Sequence, residues 1–270
     1  MNKENFPNIK ELFKNFEGRK KMLRGIKRYN IRPVMFYRPD LYTHSLHLGL
    51  ILHDLADNIN QVFGDKVDIE KTILMGLIHD DLELVMGDIQ AAHKARMTPE
   101  QTAELLETES KAITEISQKF PKKIGNYNYE SLLREGNDRK TIEARLMHFA
   151  DQLDGLCESL HEVYGGNKKF ELNIVTDGYG AHPSPTRFYV QIISDFSKNY
   201  PEIQPLFETK HPFLTPLPTI NFKKTVLKNK PHTKQSILNN VGYTLYDHWR
   251  KIIREYADEK LYSNLYLKQE

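Results

Sequence analysis

The chain has almost no cysteine, little net charge and no long apolar run. Its single cysteine, Cys157, excludes an internal disulfide and a thiolate metal cluster, and a reducing compartment is the simplest setting. Lys and Arg outnumber Asp and Glu by only 38 to 36, so bulk charge gives no reason to expect a nucleic-acid partner. The N-terminal residues contain no apolar stretch of signal-peptide length, and the longest apolar runs elsewhere, of about eight residues, are far shorter than a membrane span. We therefore expect a cytoplasmic protein with no membrane partner.

What is present favours a soluble helical protein. The 270 residues are 39% hydrophobic and 27% charged, which is typical of globular chains long enough to bury a sizeable core. Apolar residues recur every three or four positions through the first two-thirds, and this spacing predicts helices. After an N-terminal stripe from Ile9 to Ile26, we expect helices over about 43–64, 68–87, 98–120 and 139–164.

Helix start and stop signals refine these limits. Thr43 is a plausible N-cap for the second helix, and Gly87 should end the third. The clearest start is Thr98-Pro99-Glu100-Gln101, a capping box with proline at the first helical position. Gly165-Gly166 should close the fifth helix.

The last quarter differs in composition. Eight of the 13 prolines lie between Pro183 and Pro231, and residues 210–246 contain six lysines and no acidic residue. This pattern predicts a loop-rich basic arm. A final helix over about 235–262 should pack on the core or on a second subunit. We expect a helical domain over 1–200, an arm and helix over 201–270, and a homodimer.

One group of residues suggests chemistry. His79-Asp80 is followed by Glu83 and by Gly87-Asp88, while His44 lies upstream and Asp151 lies within a predicted helix. The dipeptide alone is not specific, because a second pair occurs at residues 53 and 54. A mid-helix Asp151 beside apolar neighbours needs a partner. Two imidazoles and two carboxylates would form a nitrogen and oxygen site for one divalent ion.

Other residues could serve a phosphate substrate. Glu83 is placed to handle the proton of the attacking water or of the leaving oxygen. Arg28, beside the aromatic Tyr29, and Lys94 could neutralise an anionic phosphate. Asp88 could accept a hydrogen bond from a sugar hydroxyl.

Ordinary structural roles compete with each assignment. His44 could be a helix-start histidine bonded to backbone, and Asp80, Asp81 and Glu83 could form a solvated face. Asp151 could pair with Arg145 or His148 on its own helix. Lys94 and Arg28 could be surface cations, and Asp88 could only mark a turn.

The order of these pieces resembles the HD-domain phosphohydrolases, and most closely the bacterial HD-domain 5′-deoxynucleotidases. The resemblance covers roughly residues 8 to 200, and the stretches that carry it are Arg28-Tyr29, His44-Ser45-Leu46, His79-Asp80-x-x-Glu83, Gly87-Asp88 with Lys94, and Ala150-Asp151-x-Leu153.

The resemblance implies an all-α HD-domain bundle in which His44, His79, Asp80 and Asp151 bind one divalent ion, such as Mn, Co, Zn, Mg or Fe. It implies that Glu83 is the catalytic acid or base, and it places the substrate-binding positions at Arg28, Tyr29, Asp88 and Lys94. The implied reaction removes the 5′-phosphate of deoxynucleoside monophosphates.

The chain departs from that family near the substrate. Thr43 replaces a Glu, Tyr29 replaces a Trp, and residues 90–93 replace a Pro-Thr-Pro segment. Substrate identity is therefore more open than hydrolysis. Alternatives are a deoxynucleoside triphosphate hydrolase, a signalling-nucleotide phosphodiesterase or pyrophosphohydrolase, and a non-catalytic nucleotide-binding protein.

Overall fold

Helices dominate the described chain, which confirms the all-α prediction. The structure, a computed structural model, describes residues 6–256 except 31, 33–34, 90, 165–166, 168–169, 171–174, 178–179, 183–184 and 216–240. Its helices are α1 (Ile9–Leu12), α2 (Arg19–Gly25), α3 (Leu41–Asp54), α4 (Ala56–Phe63), α5 (Ile69–Ile78), α6 (Glu83–Met86), α7 (Ala91–Lys94), α8 (Pro99–Lys119), α9 (Tyr129–Asp138), α10 (Ile142–Tyr164), α11 (Pro185–Asn199) and α12 (Val241–Tyr256).

Strands are few and short. β1 (Lys123–Ile124) pairs antiparallel with β2 (Tyr127–Asn128), and β3 (Val175–Asp177) pairs antiparallel with β4 (Gly180–His182). Short 3₁₀ segments cover Gly64–Lys66, His79–Leu82, Pro201–Glu208 and Pro212–Leu214. No helix in the described ranges is both long enough and apolar enough to cross a membrane.

Local capping signals gave mixed results. The capping box of Thr98 and Gln101 is present, with Pro99 in the first turn of α8. Thr43 is not the N-cap of α3, because the helix starts at Leu41 and the Asp40 side chain accepts from the Thr43 N–H at 2.9 Å. Asp40 is therefore the N-cap, because its side chain accepts from a first-turn amide that has no partner within the helix.

The third predicted helix starts as expected but is not continuous. Asp68 caps α5 by accepting from the Lys71 N–H at 3.0 Å, and Gly87 ends α6 at φ 80°. Between them the chain tightens into the 3₁₀ segment His79–Leu82. The expectation of one α-helix to Gly87 was therefore wrong in its central part, which carries the His-Asp pair.

The fifth helix starts later than predicted. Arg139 has φ 54° and ends α9, and α10 begins at Ile142. The final helix is described over Val241–Tyr256, and the remainder of its predicted span lies outside the described residues. Residues 165–166, where the fifth helix was predicted to end, also lie outside the described residues. The same holds for residues 216–240, which include most of the predicted arm.

The chain divides into two compact units. Unit 1 comprises Met1–Tyr29 and Pro39–Ala150, and unit 2 comprises Asn30–Arg38 and Asp151–Glu270. Helix α10 contributes its first residues to unit 1 and the remainder to unit 2. The predicted boundary between residues 200 and 201 stays a prediction.

Two glycines let α3 and α5 approach closely inside unit 1. A Cβ on Gly49 would lie 2.8 Å from Leu77 Cδ2, and one on Gly76 would lie 2.9 Å from Leu52 Cδ1. Neither distance leaves room for a side chain at these positions. This contact brings the helix that carries His44 next to the helix that leads into the His-Asp pair.

In unit 2, α12 packs through aromatic residues on α10. Trp249 is fully buried and donates from Nε1 to Asp154 Oδ1 at 2.7 Å. His161 and the Tyr246 hydroxyl are 2.8 Å apart. Buried polar groups are tolerated in such a contact when they are hydrogen-bonded.

Candidate metal and nucleotide site

Three of the four predicted metal ligands come together in unit 1. His44 lies in the first turn of α3 and is fully buried, while His79 and Asp80 open the 3₁₀ segment after α5. The His79 Nε2 atom is 2.8 Å from Asp80 Oδ1, and His44 Nε2 is 3.6 Å from Asp80 Oδ2. The two imidazole ring centroids are 5.2 Å apart.

The tautomer of His79 follows from its other ring nitrogen. His79 Nδ1 is 3.0 Å from the Gly76 carbonyl oxygen, and a carbonyl can only accept, so Nδ1 carries the proton. In the neutral ring, Nε2 then presents a lone pair toward the Asp80 carboxylate. Two lone pairs at this distance repel unless a proton or a metal ion lies with them.

The hydrogen bonding of His79 and Asp80 also indicates that an ion would be stabilised between them. Among the described residues, His79 Nε2 and Asp80 Oδ2 are buried atoms with no hydrogen-bond partner. A buried polar atom without such a partner is costly. Because these atoms are an imidazole nitrogen and a carboxylate oxygen, the residues present fit a divalent ion.

Asp80 and Asp81 are not a solvated face. Asp80 is 7% exposed and Asp81 is fully buried. Burial alone would raise the pKa of Asp80, but the neighbouring His79, His44 and Arg28 outweigh it and lower that pKa. Asp80 is therefore held as a carboxylate, the form that binds a cation.

Glu83 has the opposite electrostatic environment. It opens α6, and its Oε2 is buried without a hydrogen-bond partner among the described residues. Burial, followed by the charges of Asp80 and Asp88, raises its pKa well above the usual value, although Lys94 and Arg28 oppose the shift. A carboxyl group that retains its proton is suited to act as a general acid.

Asp88 and Arg28 belong to the same charged group. Burial raises the pKa of Asp88, with Arg28 opposing the shift and Asp80 adding to it. Arg28 Nη1 lies 4.0 Å from Asp80 Oδ2. The guanidinium carbon is 5.7 Å from the centroid of the Tyr29 ring, and Tyr29 itself is 4% exposed with φ 53°. A tyrosine in the left-handed region is strained, and such strain concentrates at functional sites.

Lys94 is paired with a buried glutamate. Its Nζ is 3.0 Å from Oε1 of Glu109 on α8, and Glu109 is 5% exposed. Burial lowers the pKa of Lys94, but Glu109 and then Glu83 reverse the effect, so the net shift is upward. Lys94 therefore stays charged and is more than the ordinary surface cation of the competing interpretation.

Asp151 lies in unit 2, on the middle of α10. It is half-buried, and Gln152 donates from Nε2 to its Oδ2 at 2.8 Å. Its role as the fourth metal ligand stays a prediction.

A second set of residues escaped the sequence analysis. Asp81, next to the candidate ligand Asp80, is bound by Arg19 and by the Tyr129 hydroxyl. Arg19 is 62 positions from Asp81 and Tyr129 is 48 positions away. No spacing rule connects residues so distant in the chain.

The comparison with known protein families agrees with this geometry. Residues 15–176, more than half of the chain, match the family described as 5′-deoxynucleotidase YfbR-like. The chain belongs to this family.

Individual relatives are distant. A 5′-deoxynucleotidase from Photorhabdus laumondii is 28% identical over 131 residues, which are 48% of this chain and 65% of the relative. One from Vibrio vulnificus is 25% identical over 129 residues, with the same shares of each chain. The match thus covers less than two-thirds of the length of these relatives.

A solved structure from Magnetospirillum magnetotacticum, titled as a predicted metal-dependent phosphohydrolase, is 22% identical. It covers 75% of this chain and 94% of its own, with a TM-score of 0.46. A likeness this weak carries no argument about function.

Proposed function

We propose that this YfbR-like protein is a metal-dependent phosphohydrolase that removes the 5′-phosphate of deoxynucleoside monophosphates. The observation that carries the proposal is the close approach of the His79 lone pair and the Asp80 carboxylate, with His44 beside them. A divalent ion would relieve the repulsion between these atoms, and family membership supports a nucleotide as the substrate.

His44, His79 and Asp80 would hold the ion, and Asp151 is the proposed fourth ligand. When bound, a divalent ion polarises a phosphoryl oxygen and lowers the pKa of bound water toward about 7. Mn, Co, Zn, Mg and Fe remain candidates, because imidazole and carboxylate ligands accept all of them.

The remaining residues would act on the substrate. Arg28 carries positive charge near Asp80, and Lys94 carries positive charge near Glu83. Both would bind the phosphate. Glu83, with its raised pKa, would protonate the leaving 5′-oxygen. Asp88 would accept a hydrogen bond from a sugar hydroxyl. Tyr29 follows the phosphate-binding residue Arg28 in the chain and would therefore lie beside the bound nucleotide.

A phosphate-release screen tests the proposal. Nucleoside mono-, di- and triphosphates in ribose and deoxyribose forms are incubated with Mn²⁺, Co²⁺, Mg²⁺ or Zn²⁺, and the products are separated. We expect inorganic phosphate from deoxynucleoside monophosphates, and loss of activity with excess chelator. Tripolyphosphate as the product would indicate a triphosphate hydrolase instead. Tight nucleotide binding without turnover under every ion would indicate a non-catalytic protein.

The role of Glu83 is tested by Glu83→Gln, which keeps the shape of the side chain and replaces its carboxyl group by an amide that cannot act as an acid. We expect kcat to fall by about 10² to 10⁴-fold, the usual contribution of a general acid, while Mn²⁺ affinity is retained. Glu107→Gln, on the exposed face of α8, is the control. A Glu83→Gln enzyme as active as wild type on the whole nucleotide panel would refute the assignment.

A further inference from the structure

We propose that Arg19, Asp81 and Tyr129 are positioning residues that hold the 3₁₀ segment His79–Leu82 in the geometry that its metal ligands require. The inference rests on the proposed function, because it concerns the same metal site. None of the three residues belongs to the predicted ligand or substrate set.

The contacts to Asp81 come from two directions. Arg19 Nε lies 2.7 and 2.9 Å from the two carboxylate oxygens, and its Nη2 lies 2.7 Å from Oδ1. The Tyr129 hydroxyl donates to Oδ2 at 2.6 Å. A carboxylate held by charge-assisted bonds of this length has little freedom to rotate.

The surroundings of this contact strengthen it. Arg19 is 3% exposed and Asp81 is fully buried. The Arg19 guanidinium carbon lies 4.1 Å from the centroid of the Phe13 ring, and Phe16 packs edge-on to Tyr129 at 5.3 Å. Burial and the adjacent Asp81 raise the pKa of Tyr129, so its hydroxyl remains a donor. Little water reaches such an environment to screen the ion pair.

Arg19 also anchors the end of α5. Its Nη2 donates to the Leu77 carbonyl oxygen at 2.5 Å, in the last turn of the helix, where carbonyls lose their helical partners. One guanidinium thus binds both the end of α5 and the residue that follows Asp80. Because Asp80 and Asp81 share one planar peptide bond and lie in the same 3₁₀ segment as His79, an anchored Asp81 limits the backbone dihedral angles open to Asp80 and His79.

The same segment of chain reaches the metal side. Arg19 begins α2, and Arg28 follows that helix and approaches Asp80 at 4.0 Å. Two arginines from one short segment therefore lie beside two consecutive aspartates, Arg19 beside Asp81 and Arg28 beside Asp80. A loss of the Arg19 contact would loosen both.

The matched pair Tyr129→Phe and Tyr127→Phe tests the inference. Each variant removes one tyrosine hydroxyl that donates to an aspartate, at 2.6 Å for Tyr129 and at 2.7 Å from Tyr127 to Asp68. Asp68 caps the start of α5, whereas Asp81 follows its end. The two substitutions are thus chemically alike, but Tyr129 is fully buried and bonds the residue after Asp80, whereas Tyr127 is partly exposed and bonds the residue before α5.

Three measurements are made on the full chain. Hydrogen exchange of amides 79–83 is followed in metal-free protein, Mn²⁺ affinity is measured by calorimetry, and kcat is measured against Mn²⁺ concentration. In Tyr129→Phe we expect faster exchange of this turn and Mn²⁺ affinity about tenfold weaker, the lower end of the range for groups bonded directly to a ligand, because Tyr129 bonds the residue next to a ligand. Excess Mn²⁺ should restore kcat. Tyr127→Phe should match wild type in all three measurements, and Asp81→Asn should lose more Mn²⁺ affinity than Tyr129→Phe.

The outcomes separate the two proposals. If the wild type hydrolyses nucleotides but Tyr129→Phe equals Tyr127→Phe in exchange and in Mn²⁺ affinity, the positioning role is overturned and the function stands. A uniform rise in exchange across the protein, with no rescue by Mn²⁺, would also overturn it. If the wild type neither binds Mn²⁺ nor releases phosphate, the function is overturned, and the exchange comparison alone decides whether the network fixes the turn.

Discussion

His161 should make the stability of the protein depend on pH in a window set by its burial. The side chain lies in unit 2, is 1% exposed, and packs against Tyr246 and Tyr37. Burial, with a smaller contribution from the charge of Arg250, lowers its pKa from 6.5 to about 4. In the unfolded chain the same imidazole would titrate near its ordinary value.

The sign and size of the effect follow by linkage. Between pH 6.5 and 4, His161 is protonated in the unfolded chain but neutral in the folded protein, so stability falls as the pH falls. The contribution of His161 to the free energy of unfolding is fully present above pH 6.5. It should decrease by about 2 kcal/mol at pH 5 and by about 3 kcal/mol at pH 4.

The assay compares wild type with His161→Gln by urea unfolding at intervals from pH 7.5 to pH 4. Chelator is present throughout, so that metal binding does not add its own pH dependence. Carboxylates titrate in both proteins, so the difference between the two curves isolates His161. That difference should shrink by about 3 kcal/mol across the window.

The control is His148→Gln, which removes a half-buried imidazole from the same helix. Parallel stability curves for wild type and His161→Gln, over the whole pH range, would refute the reasoning. They would mean that folded His161 accepts a proton as readily as the unfolded chain does.

Two further predictions concern packing and substrate charge. Lys94→Met should raise KM for the nucleotide about tenfold or more, because a charged hydrogen bond contributes roughly 1.5–3 kcal/mol. The control Lys111→Met, on the exposed face of α8, should leave KM unchanged. An unchanged KM for Lys94→Met in initial-rate kinetics would contradict the phosphate-binding role. Gly155→Ala would place a Cβ 2.5 Å from Tyr189 Cζ, so urea unfolding should show a loss of about 1–3 kcal/mol. The added replacement Tyr189→Leu should recover part of that loss, and an unaltered unfolding midpoint for Gly155→Ala would show that the ring can move aside.

Short-range signals in the amino-acid order were sufficient for several features. The capping box at Thr98 and Gln101, the cap at Asp68 and the stop at Gly87 each depend on atoms within a few residues of one another. Such contacts are local, so a short stretch of sequence contains both of the groups that form them. Family membership was predictable for a similar reason, since the residues of an HD-type site recur in a fixed order.

Other features depended on parts of the chain that meet only after folding. From the sequence alone, Asp80 and Asp81 could equally have formed a solvated face. Their burial depends on the residues that pack over them. Arg19 and Tyr129 surround Asp81 from 62 and 48 positions away. The 3₁₀ segment at His79 and the pairing of Lys94 with Glu109 arise in the same way. A pattern along the chain records which side chains prefer burial, whereas the partner of a buried charge is set by the packing of distant helices.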